Sequence, residues 1–372
     1  TGTFYGTITD TDGFYRLANM KVGGPYKITV SYVGQEDQVY DQVYLRLGEP
    51  LRLNSVMGES SVALEEIVVT AQQGSVGKNS GTSTQISNED IENLPTLNRD
   101  LADFTRLTPQ ASGSSFGGVN NRYNAIYIDG AVNNDVFGLA PNGTNGGQTG
   151  ISPFSIDIID QIQVVLSPYD VTYGGFAGAG INAVTKSGTN NLEGTAYYFL
   201  QNENLVGKEN QKFADRIGIN ENDRARVDDF TKQTYGASLG GPILKDKIFF
   251  FANFEIQDDE NPAPFNIAEY TNENADRANE TDLNALRNTL INDYGYDPGT
   301  FGNVADELQG VKFFGKLNFN LSNDHKLTVR HNYTKAEQFN RNSGNSGNIN
   351  FSNNGVFFPS VTNSSAIELN SS

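Results

Sequence analysis

Val311-Lys312-Phe313-Phe314-Gly315-Lys316-Leu317-Asn318-Phe319-Asn320-Leu321 is the stretch whose reading decides the fold. In a strand, alternate residues point to opposite faces. Val311, Phe313, Gly315, Leu317 and Phe319 then share one side, and Lys312, Phe314, Lys316, Asn318 and Asn320 the other. A tilted strand of about 9 to 11 residues crosses a bilayer, and runs near that length recur at Leu192–Gln201, Thr231–Leu239, Lys247–Gln257 and Lys326–Tyr333, with another starting at Ala366. Their connections alternate. Asn202–Phe230, Asp258–Gly310 and Thr334–Ser365 are long, whereas Gly240–Asp246 and Ser322–His325 are short. Long outer loops and short inner turns are the rule for bacterial transmembrane barrels. A lysine on the lipid side at mid-bilayer costs roughly 2–4 kcal/mol, so the Lys312 and Lys316 face is assigned to the lumen. The same logic places Ile248, Phe250, Ala252, Phe254 and Ile256 in lipid, with Lys247, Asn253 and Glu255 inside. Five or six strands cannot close, and an open edge in hydrocarbon is costly. The rest of such a barrel is therefore expected beyond Ser372.

Composition agrees with this reading and removes others. Lys and Arg number 26 against 44 Asp and Glu, a net charge of -18, and the basic residues are scattered. A nucleic-acid surface would need a basic face. The absence of cysteine excludes disulfide frameworks, Cys-ligated zinc and thiol nucleophiles. Mean hydropathy is -0.45 and no run reaches the eighteen or so apolar residues of a membrane helix; an alternating barrel strand raises neither measure. Only His325 and His331 are present, so neither a His triad nor a multi-His zinc site can be built. The acids at Glu221, Asp223, Asp228, Asp229 and Asp258-Asp259-Glu260 read as solvated loop charge. The chain opens on Thr1-Gly2 without a readable signal peptide and is taken as a fragment cut at both ends.

Upstream, short runs at Phe4–Thr9, Phe14–Leu17, Tyr26–Val33, Val39–Leu47 and Leu51–Val56 are separated by turn signals such as Asp12-Gly13 and Gly23-Gly24-Pro25, which suggests a small β-sandwich. Thr9–Phe14 lacks the spaced acids and closing Glu of an EF-hand loop and is read as a hairpin turn. Ser87 followed by Glu89 and Asp90 is a helix start, stopped by Pro95. A second helix is expected near Asn98, with Leu97, Leu101, Phe104 and Leu107 on one face. Strands are expected at Ala125–Asp129 and Gln161–Leu166, and the Gly130–Gly150 loop between them is long enough to suggest function. Gly174–Gly180 lacks the Lys-Ser/Thr ending of a phosphate loop.

Between the sandwich and the linker lies Leu64-Glu65-Glu66-Ile67-Val68-Val69-Thr70-Ala71. By its residues it is either a last sandwich strand or a segment that adds to another protein's sheet edge. Glu66-Ile67-Val68-Val69-Thr70-Ala71 resembles the TonB box of TonB-dependent outer-membrane receptors. Residues 1–60, with Asp12-Gly13-Phe14, Gly24-Pro25-Tyr26 and Ser31–Gly34, resemble a carboxypeptidase-regulatory-like domain. Asn120–Asn124 with Ile126–Gly130, Ser167-Pro168, Tyr173-Gly174, Gly180–Asn182 and Val184–Gly188 resemble the plug of those receptors, although the family often has Gly where Ser167 stands. Nearly the whole chain resembles an Oar-like receptor of the Bacteroidota type. That resemblance implies five parts: a truncated domain at 1–60, the box at 64–71, a linker at 72–84, a plug at 85–190, and the first five or six antiparallel strands of an incomplete transmembrane β-barrel at 191–372. The expected class is mainly β, with an N-terminal β-sandwich and an α+β plug domain.

The resemblance further implies outer-membrane location, capture of the box by TonB, and import of an oligosaccharide, peptide or other large ligand, with iron chelates also open. Arg122, Tyr123, Asn133, Asn134, Asp135 and Phe137 would be the ligand-facing plug residues. A surface lipoprotein lid is a further implied partner, alongside outer-membrane lipid; no cofactor, metal, nucleic acid or catalytic residue is expected. The competing readings are a surface adhesin without transport and a receptor that signals.

Overall fold

A computed structural model describes residues 5–18, 20–35, 37–46, 50–57, 69–70, 83–96, 98–135, 137–140, 143–166, 174–208, 216, 227, 229–261, 280–301, 306–322, 324–342 and 350–371. It is mainly β. The wall is a six-stranded antiparallel meander, each strand paired with the next in sequence. Its strands are β11 (Glu193–Asn202), β12 (Thr231–Leu244), β13 (Ile248–Asn261), β14 (Asp306–Asn320), β15 (His325–Arg341) and β16 (Gly355–Ser371).

The two faces separate as the lysine argument requires. Phe313 is 40% exposed on the lipid side while its neighbour Phe314 is 2% exposed. Lys312, Lys316, Asn253 and Glu255 are buried on the lumen side, and Phe254 faces out. Lys247 departs from expectation: it lies in the short turn before β13, exposed, with its amide on the Leu244 carbonyl. Several strands run longer than expected. β16 begins at Gly355 rather than Ala366: Pro359 interrupts the apolar run Val356-Phe357-Phe358 and reads as a strand breaker, but β16 is the edge strand of the wall, where a proline is tolerated. Within the long 262–305 connection, a helix, α3 (Glu280–Tyr294), has no counterpart in the sequence reading.

The lumen side is filled by a five-stranded sheet of order β4-β9-β10-β7-β8. These strands are β4 (Ser83–Ile86), β7 (Ala125–Ile128), β8 (Ala131–Val132), β9 (Ile159–Val165) and β10 (Gly180–Thr185). A minor hairpin, β5 (Ala111–Ser112) and β6 (Ser115–Phe116), stands apart. β10 runs parallel to β7 and antiparallel to β9. α1 (Asn88–Asn93) starts where expected: the Asp90 amide donates to Ser87 Oγ, and the Ser87 amide donates back to the Asp90 carboxylate, a reciprocal capping box. α2 (Leu101–Thr105) is capped by Asp100 and ends before Leu107. Leu107 is therefore exposed rather than on the apolar face, and Leu97 lies outside the described residues. Ile86, Phe104, Ile128, Ile158, Ile162 and Ile181 form the core, and Phe251 and Phe314 from the wall belong to the same cluster.

In the N-terminal domain, β1 (Gly23–Val30) pairs antiparallel with β2 (Gln38–Leu45) around Tyr26, Tyr40 and Val43. Among the described residues the expected runs Tyr5–Thr9, Phe14–Leu17 and Leu51–Val56 carry no ladder. Tyrosine hydroxyls tie them instead: Tyr15 donates to the Leu53 carbonyl and Tyr40 to that of Asn54. The Asp12-Gly13 turn forms, closed by the Asp10 amide on the Phe14 carbonyl and by Asp10 Oδ1 accepting from the Asp12 and Phe14 amides. A short strand, β3 (Val69–Thr70), runs parallel to Tyr40–Asp41.

Truncating a core aromatic costs about 3–5 kcal/mol. Phe314→Ala is therefore expected to lower the thermal midpoint of the full-length protein in detergent, and Phe313→Ala to leave it nearly unchanged. Equal losses would reverse the assignment of faces.

Candidate functional site

The lumenal sheet meets the wall through charge rather than apolar contact alone, and the centre of that contact is Asp129. It follows β7 at the left-handed φ of 44°, a conformation in which short polar side chains are over-represented. Its Oδ1 accepts the Thr185 amide at 2.7 Å and its Oδ2 the Thr185 hydroxyl at 2.6 Å. Two wall cations close on the same carboxylate, Lys316 Nζ at 3.3 Å and Arg330 Nε at 3.6 Å. Lys316 also donates to the Thr185 carbonyl and hydroxyl, and Arg330 to the Ile128 carbonyl. All three charged side chains are buried, at 6–8% exposure.

Nearer the outer end, Lys312 Nζ pairs with Glu255 at 2.7 Å, and Glu255 accepts from the Ser155 hydroxyl of the lumenal unit and from Tyr197 of β11. Pro153 offers its carbonyl to Asn332 and Thr334. Arg99 pairs with Asp157 within the lumenal unit while its guanidinium lies 3.6 Å over the Phe199 ring of the wall. A cavity of about 510 Å³ opens beside it, lined by Arg99, Asp100, Lys232, Asp259 and Lys312 among others. Burial pushes the Asp100 carboxyl above its ordinary range.

The six expected ligand-facing residues divide by what they touch. Arg122 and Tyr123 sit in one 3-10 turn capped by Asn120. Asn134 and Asp135 are structural: Asn134 Oδ1 accepts the Ile126 amide, and the Asn133 amide donates to the Ile126 carbonyl. Asp135 accepts the Phe137 and Ala140 amides. Burial raises its carboxyl, and the amides of residues 137–140 together outweigh that and hold it below the ordinary carboxylate range. The clamp folds the loop back so that Gly138 lies on Arg122; a Cβ there would come within 3.0 Å of Arg122 Nε. Tyr123 and Phe137 are left exposed, as are Val132 and Leu139, which the sequence reading did not single out.

Of the box, only Val69 and Thr70 are described, as backbone pairing with Tyr40 and Asp41. Glu66, Ile67, Val68 and Ala71 lie outside the described residues, as do Glu221, Asp223 and Asp228. Ser83 and Thr84, expected in the linker, belong to β4. Among the described residues no cluster of three potential metal ligands occurs, and no helix is long and apolar enough to cross a membrane.

Removing one partner of a buried ion pair costs about 3–5 kcal/mol. Asp129→Ala strands two cations and is expected to lower the thermal midpoint of the full-length protein more than Asp157→Ala; the reverse order would show that the Asp129 cluster carries little. The Asp135 clamp has its own sign. Its carboxyl is depressed on folding, so its contribution is complete above the unfolded pKa of about 3.9 and is lost as pH falls through the lower folded value. Amide exchange at residues 137–140 should be slow at pH 7 and faster in the Asp135→Ala variant at the same pH; equal protection in the two proteins would discard the clamp.

Comparison with known proteins agrees with this architecture. Residues 1–58 match the carboxypeptidase regulatory-like domain, and residues 184–306 the outer membrane beta barrel domain. The chain is 26% identical over 355 residues to the TonB-dependent transporter Oar of Myxococcus xanthus, covering 88% of this chain and 30% of that protein. It is 29% identical over 209 residues to a probable TonB-dependent siderophore receptor, PirA, of Acinetobacter baumannii, covering 51% of this chain and 24% of that one. The chain thus spans under a third of either relative's length. The outer-membrane transporter YddB of Escherichia coli shares the fold, with a TM-score of 0.52 at 17% identity over 78% of this chain and 37% of that one.

Proposed function

We propose that this chain, an outer-membrane homologue of the TonB-dependent transporter Oar, is part of a transporter that imports a nutrient with energy delivered through TonB. The observation that carries the reading is the lumen: a folded plug fills it and is held to the wall by buried ion pairs and a shared core. A protein that only binds at the cell surface has no use for a plug. Passage through this barrel requires those contacts to yield, and about 1.5–3 kcal/mol for each hydrogen bond to a charged group is a load that needs an external energy source.

In this reading Glu66–Ala71 is the box. Ile67, Val68 and Val69 offer a backbone ladder and alternating side chains to TonB by strand addition. Outside, the exposed Tyr123 and Phe137 over the Asp135 clamp meet the ligand, an oligosaccharide, peptide or other large nutrient, and a surface lipoprotein serves as the lid. Catalysis has no part in the scheme. One observation favours a second reading of the box stretch: β3 lies along the N-terminal domain's own sheet, as a last strand of that domain would.

A synthetic Leu64–Gln73 peptide and its Val68→Pro variant decide between them when presented to the periplasmic domain of the host's TonB. The proline removes a ladder donor, so retention of the unmodified peptide and loss of the variant is the expected result. If neither is retained by any TonB of the host, the stretch is a domain strand and the transport reading falls with it.

A further inference from the structure

The N-terminal domain touches both the part of the molecule that has to move and the part that cannot. Among the described residues its contacts include ones from Tyr5, Lys21 and Gly23, to β15 beside the short 321–324 turn, to the end of the plug and to β9. Lys21 Nζ donates to the Ser187 carbonyl at the end of the plug, at 3.4 Å. Gly23 packs on Asp160 of β9, where a Cβ would lie 3.4 Å from Oδ2. Tyr5 lies under Lys326 of β15, with Nζ 4.3 Å from the ring centre. Lys21 itself is held from inside its own domain: its amide donates to the Tyr5 hydroxyl, and its carbonyl accepts from the Tyr26 hydroxyl at 2.7 Å. The two rings meet edge to face at 6.1 Å. One preorganised tyrosine-backed knob therefore bridges plug and wall.

The contact has the character of a reversible one. The domain keeps its own hydrophobic core, separate from the core shared by plug and wall. Between them lies a cavity of about 610 Å³ lined by Lys21, Asp129, Thr185, Lys316 and Lys326 among others, with Glu368 at its edge. Burial lowers the pKa of Lys21 and raises that of Asp160, each partly offset by the charge of the other, which marks a contact that has been desolvated. The stretch Gln72–Thr82 is built of Gly, Ser, Thr, Gln, Asn, Val and Lys, mostly the composition that gives a tether reach.

We propose that the N-terminal domain is a removable cap on the inner mouth of the barrel. Docked, it pins the plug to the wall through Lys21 and Tyr5; it lifts away when the plug is remodelled. The lifting half rests on the transport reading above, whereas the docking half stands without it.

The test uses the full-length receptor in outer-membrane fractions, with any cysteine outside these residues replaced by serine. Lys21→Cys with Ser187→Cys is treated with a short bis-maleimide and compared with Ile8→Cys and Ser187→Cys, Ile8 being 89% exposed on the domain. A docked cap should give a yield roughly tenfold above the control, as a high effective concentration requires. Equal yields overturn the docking. Adding the purified periplasmic domain of TonB should then lower the yield by more than half. A receptor that retains the TonB domain with its cross-link yield unchanged overturns the lifting. A receptor that retains no TonB domain, cross-linked or not, overturns the box and the lifting together, while the yield alone still decides the docking.

Discussion

A backbone amide or carbonyl in hydrocarbon has no water to turn to, and most of this molecule follows from that. The wall satisfies the constraint by pairing each strand with its successor. Charged side chains are then driven to the lumen, where Lys312, Lys316 and Arg330 collect in a chain that is acidic overall. Three cations in a confined space need acceptors. The wall provides Glu255, and the plug provides Asp129, Thr185 and the Ile128 carbonyl. Plug and wall are therefore two halves of one polar network, with Phe251 and Phe314 extending the plug's apolar core across the boundary.

What could be read from the sequence was what physics makes periodic or locally obligatory. The alternation around Lys312 and Lys316 places both faces of β14, and Ser87 with Asp90 starts α1. What could not be read depends on partners far away in the chain. Asp129 stands out in sequence only as part of Tyr127–Gly130; its role appears when β14 and β15 bring Lys316 and Arg330 to it. Leu107 has the right spacing for a helix face, yet α2 stops short of it. Of the six residues expected to face a ligand, Asn134 and Asp135 use their side chains to hold their own loop, a use that residue type alone does not reveal. The outer half of β16 carries Pro359 after Val356, Phe357 and Phe358, a signal against a strand that only its place at the sheet edge, paired with β15, overrides.

The N-terminal domain is bound by a different kind of contact. Among the described residues its buried apolar cluster is separate from that of the plug, and its contacts there include a lysine on a carbonyl, a ring under an ammonium and a glycine against a carboxylate. Contacts of this kind, a hydrogen bond and a cation over a ring, fix orientation while each contributes only about 0.5–2 kcal/mol.

Chain order within the plug sheet also has a mechanical side. β4 is both an edge strand and, among the described residues, the first element of the plug sheet in chain order, and it holds to β9 by four residue pairs, Ser83 to Ile86. Tension entering from upstream of Ser83 is borne by that ladder before it reaches anything else, and beyond it stands the doubly bonded cap of α1. The sheet thus has a fixed order of failure along the chain: an edge of four residues peels first, with Ile86 as the last apolar anchor, while β9, β10 and β7 remain paired to one another behind it.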